Sequence, residues 1–129
     1  FEAVVVDHHT FVDRVSAVLD TAVAVNRQDP SISAFVVGVA GEVQRHPELG
    51  PLVEPYRYRA RTFLGRLVSE AAANGEFAPD VDPAAVADMA QAVLGGLASF
   101  SSTTGDTDRH RAASGMVQRL LAGTLLRRV

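Results

Sequence analysis

The chain of 129 residues carries 12 basic and 15 acidic side chains, no cysteine and no tryptophan, and every basic residue is an arginine. This length is typical of one domain, which can bury about two-thirds of its unfolded surface without a metal or a disulfide. The absence of cysteine excludes disulfides, cysteine-ligated zinc and thiol catalysis. A formal net charge of −3 without lysine argues against a phosphate-binding surface. We therefore predict that these residues are not themselves a DNA-binding module.

The apolar stretches of the chain are short. The run Ala3 to Val6 is typical of the longest of them, whereas a bilayer span needs about 20 apolar residues. The opening residues also lack the basic and apolar regions of a signal peptide. We therefore predict a soluble, cytoplasmic domain with no membrane contact. Because Phe1 stands in the middle of an apolar pattern, we expect the chain to be part of a longer protein.

Apolar residues that recur at alternating steps of three and four predict an all-α protein. Asp29-Pro30 and Asp82-Pro83 each place a capping residue before a proline, which is typical of a helix start. Asn74-Gly75 is typical of a left-handed helix end. We predict one domain over residues 1–129 with five helices, at about 2–26, 30–46, 55–74, 83–101 and 107–128.

The fourth and fifth predicted helices have apolar residues around most of their circumference, with Asp88 and Gln91 as the main polar exceptions in the fourth. A helix that is apolar all round must be covered all round, and one small core cannot cover both of them. We predict a homodimer in which these last two helices form a four-helix-bundle interface. The alternative is a monomer in which both helices are central. The predicted interface residues are Val86, Ala90, Leu94, Gly95, Ala98, Met116, Val117, Leu120, Leu121 and Leu125.

No set of residues in the sequence supports catalysis or metal binding. Glu42 and His46 are four residues apart, so they do not form the Glu-x-x-His motif of a di-iron bundle. His8 and His9 are adjacent and point about 100° apart on a helix, so they do not chelate one ion. A phosphate-binding P-loop requires a lysine, which is absent. We predict no catalytic residue, no metal site and no cofactor.

Some apolar stripes carry polar or aromatic side chains that are typical of a small-molecule site. His8 interrupts the stripe of the first helix, and Tyr56 opens that of the third. These two side chains would be the few polar groups of an otherwise apolar cavity. A plain hydrophobic core explains the same pattern. The residues that would form the apolar walls are Phe11, Phe35, Phe63, Met89 and Val93.

Three motifs occur in an order that resembles the C-terminal half of TetR-family bacterial transcriptional regulators. They are Pro47-Glu-Leu-Gly-Pro-Leu before a long helix, Asn74-Gly-Glu-Phe-Ala-Pro-Asp-Val-Asp-Pro83 at the start of the fourth helix, and Val93-Leu-Gly-Gly-Leu97 within it. The opening Phe1-Glu-Ala-Val-Val resembles the start of the helix that joins the DNA-binding head to the regulatory body. The resemblance covers the whole chain, but the helix-turn-helix head of the family is not in it.

The resemblance implies an effector-binding and dimerisation domain of a ligand-responsive transcriptional repressor. A small apolar effector would bind among the first four helices, move the first helix and so release operator DNA, which the intact protein contacts only through its head. The alternatives are a stand-alone helical carrier or protein-interaction module and, less favoured, a helical-bundle enzyme. The residues predicted to contact the effector are His8, Phe11, Val15, Phe35, Val39, Tyr56, Phe63, Met89 and Val93.

Overall fold

The computed structural model describes residues 2–128, except for the side chains of Glu2, Ile32 and Ser33. Phe1, which opens the family resemblance, lies outside the described residues. Six α-helices and one short 3₁₀ turn, Pro47–Leu49, make up the described chain, which contains no strand, so the all-α prediction is confirmed. The helices are α1 (Glu2–Val5), α2 (Phe11–Gln28), α3 (Ser31–Arg45), α4 (Gly50–Ala73), α5 (Pro83–Thr104) and α6 (Thr107–Ala122).

The first predicted helix is divided into α1 and α2 in the structure. Thr10 has an extended backbone, and its side-chain oxygen accepts a hydrogen bond of 3.1 Å from the Asp13 amide. The Phe11 amide donates to Glu76 Oε1 at 2.9 Å, from the loop between α4 and α5. Both interactions satisfy amides that have no partner at a helix start. The stripe positions Val4, His8 and Phe11 keep helical steps of four and three across this break, so periodicity alone did not reveal it.

Three further helix boundaries differ from the predicted ones by three residues or more, and one of them is the end of α5, at Thr104 rather than near residue 101. Helix α4 begins at Gly50 rather than near residue 55, with Pro51 in its first turn and Pro55 inside the helix. Pro51 occupies a position whose amide has no intrahelical partner, so it favours the helix start, and the helix tolerates the one hydrogen bond lost at Pro55. Helix α6 ends at Ala122 because Gly123 adopts a left-handed conformation, with a φ of 76°.

The hydrophobic core is centred on the middle of α2. Val18 and Leu19 are each 1% exposed, and on α4 Leu67 and Val68 are each 2% exposed. Helix α2 contacts α4 and α6, while α5 contacts α3, α4 and α6. Helix α1 joins the same core through Val5, which clusters with Val18 and Leu67. The short first helix is therefore fixed to the two helices that carry the most deeply buried residues.

Helix α5 combines high hydropathy with little burial. By length and composition it is the one helix among residues 2–128 that is apolar enough to cross a membrane, with a mean hydropathy of 1.2 in its most apolar window. Only 11% of that window is buried. The sequence prediction of no such segment considered unbroken apolar runs, whereas alanine, valine and leucine keep the average hydropathy of α5 high despite Asp88 and Gln91. The outer face of α5 thus exposes small and apolar residues beside these two polar ones in the isolated chain.

Candidate ligand-binding site

An apolar cavity of about 70 Å³ lies between α2, α4, α5 and α6. Met89 and Leu120 are 46% and 55% exposed, so the cavity reaches the surface between α5 and α6. Its lining carries no polar side chain, and a cavity of this kind stays dry and favours apolar ligands. The lining residues are Phe11, Val15, Val18, Leu19, Leu64, Leu67, Met89, Ala90, Val93, Leu94, Val117, Leu120 and Leu121.

The apolar cavity contains four of the predicted effector contacts, Phe11, Val15, Met89 and Val93. Its other walls come from residues on the predicted apolar stripes of α2 and α4, from residues of the predicted dimer interface, and from Leu19, which no prediction named. Helical spacing places a side chain on a stripe but does not distinguish a filled core from one that leaves a void. The sequence could therefore identify apolar stripes on α2 and α4, but it could not identify which side chains line the cavity.

Phe35 and Val39 lie elsewhere, in an open groove of about 540 Å³ between α3 and the start of α4. Phe35 is 72% exposed, and on the opposite wall Leu52 is 70% exposed. The N-terminal half of α4 does not pack on the core, because residues 54–62 are all exposed, so the groove beside it is open to solvent. These two predicted contacts are therefore not in the apolar cavity.

The remaining three predicted contacts, His8, Tyr56 and Phe63, do not line the apolar cavity either. Tyr56 is 69% exposed, and the Arg59 guanidinium lies 6.0 Å from its ring centroid. Phe63 packs against the cluster that holds α1. His8 is partly buried, and its backbone carbonyl accepts a hydrogen bond of 2.9 Å from Arg14 Nε. The two side chains predicted to supply the polar groups of the site thus lie outside this cavity.

The predicted dimer residues face two different ways. Those that are buried or packed on the core of the same chain are Val86, Ala90, Leu94, Val117 and Leu121. Gly95, Met116 and Leu120 are exposed, while Ala98 and Leu125 are partly buried. On α6, Val117 and Leu121 therefore pack on the core of the same chain, whereas Met116 is exposed and Leu120 is exposed at the edge of the apolar cavity.

A second cavity, of about 40 Å³, lies between α2, α5 and α6, and we call it the His110 cavity. His110 is 3% exposed and its Nδ1 atom has no hydrogen-bond partner. Burial lowers the pKa of His110 below its ordinary value, because desolvation disfavours the charged imidazolium. The residues that line this cavity are Leu19, Ala22, Leu94, Leu97, Ala98 and His110.

Sequence reasoning missed His110, although a signal was present. His110, Val117 and Leu121 are separated by seven and four residues, which puts them on one face of α6. The structure turns this face inward, and Ser114 on the same face is 1% exposed. A histidine in register with two apolar residues that pack on the core is thus directed inward.

Further buried polar side chains lie on the same helices as the His110 cavity, within about one turn of its lining residues. Asn26 Nδ2 donates to Ser101 Oγ at 2.6 Å, and the two residues are 4% and 5% exposed. Asn26 is one turn beyond Ala22 on α2. Asn26 Oδ1 and Ser114 Oγ have no hydrogen-bond partner. One end of the α2, α5 and α6 interface therefore contains polar groups whose hydrogen-bonding capacity is unused.

The apolar cavity shares two of its walls with the contact surface of α1. Val18 and Leu67 line the cavity and also form the cluster that buries Val5, which is 6% exposed. Arg14 fixes the turn after α1, because it bonds the carbonyl of His8 and forms an ion pair with Glu70 of α4. A ligand that moves these walls would therefore disturb the position of α1.

Among residues 2–128, no group of three or more His, Asp or Glu side chains is placed to hold a metal ion. A family model described as "BetI-type transcriptional repressor, C-terminal" matches residues 11–126. Neither curated proteins nor solved structures give a match. The family match agrees with the resemblance of the three sequence motifs to TetR-type regulators. The chain therefore belongs to the C-terminal domains of BetI-type transcriptional repressors, a TetR-type family with a regulatory role in ligand binding and dimerisation.

Proposed function

We propose that the chain binds an apolar small molecule in the cavity between α2, α4, α5 and α6, and that binding displaces α1 and releases operator DNA from the intact repressor. The observation that carries this proposal is the pair of shared walls. Val18 and Leu67 each contact both the cavity and the cluster around Val5. An effector in the cavity and α1 in its docked position therefore act on the same two side chains.

The volume of the cavity supports a mechanism in which the ligand shifts a conformational equilibrium. The cavity measures about 70 Å³, whereas sites that hold drug-sized ligands are clefts of about 300–1,000 Å³. A larger effector must separate the walls before it fits. Because well-packed cores move between discrete arrangements rather than stretching, this separation favours a second position of α2 or α4.

Helix α1 is the element through which this second position would reach the DNA. In a repressor with a DNA-binding head ahead of α1, the angle of α1 sets the position of the head. The Arg14 contacts with His8 and Glu70 tie the following turn to α4, so a shift of α4 is passed to that turn. The ligand changes DNA affinity only by its difference in affinity for the two positions.

Ligand binding is tested by titrating the 129-residue chain with a graded series of alkylbenzenes and following valine and leucine methyl resonances. We expect saturable shifts centred on the apolar cavity. Val93→Phe fills the cavity and should weaken binding at least about tenfold. Val36→Phe, at a position that is 53% exposed on α3, is the matched control and should bind as the wild type does. No saturable binding, or equal binding by both variants, would contradict the proposal.

The response of α1 is tested by amide hydrogen exchange over residues 2–10 with and without a saturating alkylbenzene. We expect faster exchange in the bound state, because displacement of Val18 and Leu67 removes the apolar contacts of Val5. Residues 34–45 of α3, which line neither of the two cavities beside α2, provide an internal reference. Binding that leaves exchange at 2–10 unchanged would separate ligand binding from the proposed mechanism and refute the latter.

We propose further that a second copy of the chain covers the outer face of α5 and α6. Gly95 and Gly96 are exposed on α5, and a Cβ atom at either position would meet no atom within 4 Å. Each glycine costs about 1 kcal/mol of helix stability relative to alanine, with no packing inside the chain that requires it. Close contact with another helix would explain both, and on α6 Met116 and Leu120 are exposed apolar side chains.

Self-association is tested by light scattering and sedimentation at tens of micromolar. We expect a dimer for the wild type and a monomer for Gly95→Arg. Gly38→Arg on α3 is the matched control, because Gly38 is also a helical glycine at which an added Cβ atom would meet nothing within 4 Å. A monomeric wild type, or a dimer that Gly95→Arg leaves intact, would refute the proposed interface.

A further inference from the structure

The apolar cavity and the His110 cavity are neighbours that share two walls. Leu19 and Leu94 line both of them, so these two side chains separate an apolar compartment from one that contains an imidazole. Leu19 is 1% exposed, while Leu94 is partly buried. The same separation of walls that admits a larger ligand would therefore open the first cavity toward the second.

His110 is the polar group that this second compartment offers. Its side chain is almost wholly buried and its Nδ1 atom is unpaired. Buried polar atoms are hydrogen-bonded in the great majority of cases, so an unpaired one calls for a partner such as a water molecule or a ligand. His110 lies on the wall of a cavity, and because Nδ1 itself is buried, a partner reaches this atom only when the walls of that cavity separate.

We propose that the effector is a neutral apolar molecule bearing a hydroxyl group, and that this hydroxyl bonds His110 Nδ1. This inference rests on the proposed function, because the apolar part of the molecule occupies the cavity described there. The hydroxyl extends past Leu19 and Leu94 into the His110 cavity. His110 thus selects the polar group of the effector, while the apolar cavity selects its body.

The chemistry of the lining favours a hydroxyl over a charged group. Neutral imidazole has one donor nitrogen and one acceptor nitrogen, and a hydroxyl both donates and accepts, so it pairs with Nδ1 in either tautomer. Burial keeps His110 in the neutral form at neutral pH, because it lowers the pKa. Neither cavity is lined by a carboxylate or a guanidinium. A charged effector would therefore be buried without a counter-ion, which is costly.

The test compares two probes that differ only by one hydroxyl group, 4-ethylphenol and ethylbenzene, by titration of the 129-residue chain. We expect His110→Phe to weaken 4-ethylphenol about tenfold, equivalent to about 1.4 kcal/mol. Ethylbenzene should bind this variant within about twofold of the wild type. His110→Gln keeps a hydrogen-bonding side chain and should restore part of the affinity for the phenol. Equal losses for both probes, or no loss for the phenol, would overturn the assignment of His110.

A second measurement uses only the wild-type chain, so it does not depend on the folding of a variant. With ¹⁵N-labelled histidine, 4-ethylphenol should shift the Nδ1 resonance of His110 and ethylbenzene should not, with His9 and His46 as internal references. An unchanged Nδ1 resonance would mean that His110 has only a water partner, and would overturn the inference.

The outcomes distinguish this inference from the proposed function. Ethylbenzene binding that Val93→Phe abolishes, combined with no effect of His110→Phe on the phenol, would refute the role of His110 and leave the apolar site standing. Failure of both probes to bind would overturn the apolar site and the hydroxyl assignment together.

Discussion

Leu19 separates the two cavities, and its truncation is the most direct test of the site. Leu19→Ala removes three carbon-sized groups from a side chain that is 1% exposed. At about 0.8 kcal/mol for each buried group, the lost transfer free energy is about 2.4 kcal/mol. New void adds to this at about 24 cal/mol per Å³. Because part of Leu19 already borders empty space, it has fewer contacts to lose, and we expect a total of about 3 kcal/mol.

The assay is urea unfolding followed by the helical signal at 222 nm, at one protein concentration. Leu126→Ala, at a position that is 78% exposed, is the control and should change the free energy of unfolding by less than about 0.5 kcal/mol. Leu19→Val should fall between the two. The m-value should stay constant, so that a lower midpoint reports lower stability rather than a different unfolded state.

An apolar ligand should restore the stability that Leu19→Ala loses. Leu19→Ala joins cavities of about 70 and 40 Å³ into one larger space, so an alkylbenzene should bind the variant more tightly than the wild type. At one hundred times its Kd, a ligand adds about 2.7 kcal/mol of stability and should return the variant close to the wild-type value. A loss below about 1 kcal/mol, or a variant that no alkylbenzene stabilises, would refute the assignment of Leu19 as the wall between two voids.

Three further predictions test single features of the structure. Glu76→Ala should cost about 1 kcal/mol in urea unfolding, because it removes the acceptor for the first amide of α2, and Glu76→Gln should cost less. Gly105→Ala should destabilise by about 1 kcal/mol because the φ of Gly105 is 62°, whereas Gly38→Ala, in open helix, should be neutral or stabilising. The pKa of His110 is lowered by burial, so the unfolded chain binds the extra proton first, and stability should fall as the pH drops through about 6.5. The slope from this group is at most about 1.4 kcal/mol per pH unit, and His110→Phe should remove it, with His9→Gln as the exposed control; an unchanged slope in His110→Phe would contradict the prediction.

The helices could be predicted where a local signal marks their ends. Asp82 accepts a hydrogen bond of 3.0 Å from the Ala84 amide, which is the cap that Asp82-Pro83 indicates. Asp29 accepts from the Ser31 amide at 3.1 Å, although α3 begins at Ser31 itself. The start of α2 also has a local cap, because Thr10 accepts a hydrogen bond from the Asp13 amide, but the helical spacing through His8 hides it. Its first amide is satisfied by a side chain 65 residues away, and no local pattern encodes that contact.

The site was harder to predict, because apolar spacing identifies an inward face without saying what the face meets. Phe11 and Val15 line the apolar cavity, whereas Val5 packs against other side chains. His8 and His110 illustrate the same point for polar groups. His8 interrupts an apolar stripe in the sequence, but α1 ends at Val5, before His8. His110 lies within α6, on the face that points inward.

The arrangement of the two cavities indicates how the affinity of an effector and the position of α1 would be linked. Binding is reciprocal, so an effector that loosens α1 must bind more tightly when α1 is already loose. Its apolar body displaces Val18 and Leu67, which costs free energy in proportion to the Val5 contacts that are lost. A hydrogen bond to His110 offsets that cost only after Leu19 and Leu94 have separated. An effector that also bonds His110 should therefore shift α1 further than an alkylbenzene of similar size, because the added hydrogen bond stabilises the conformation in which the walls have separated.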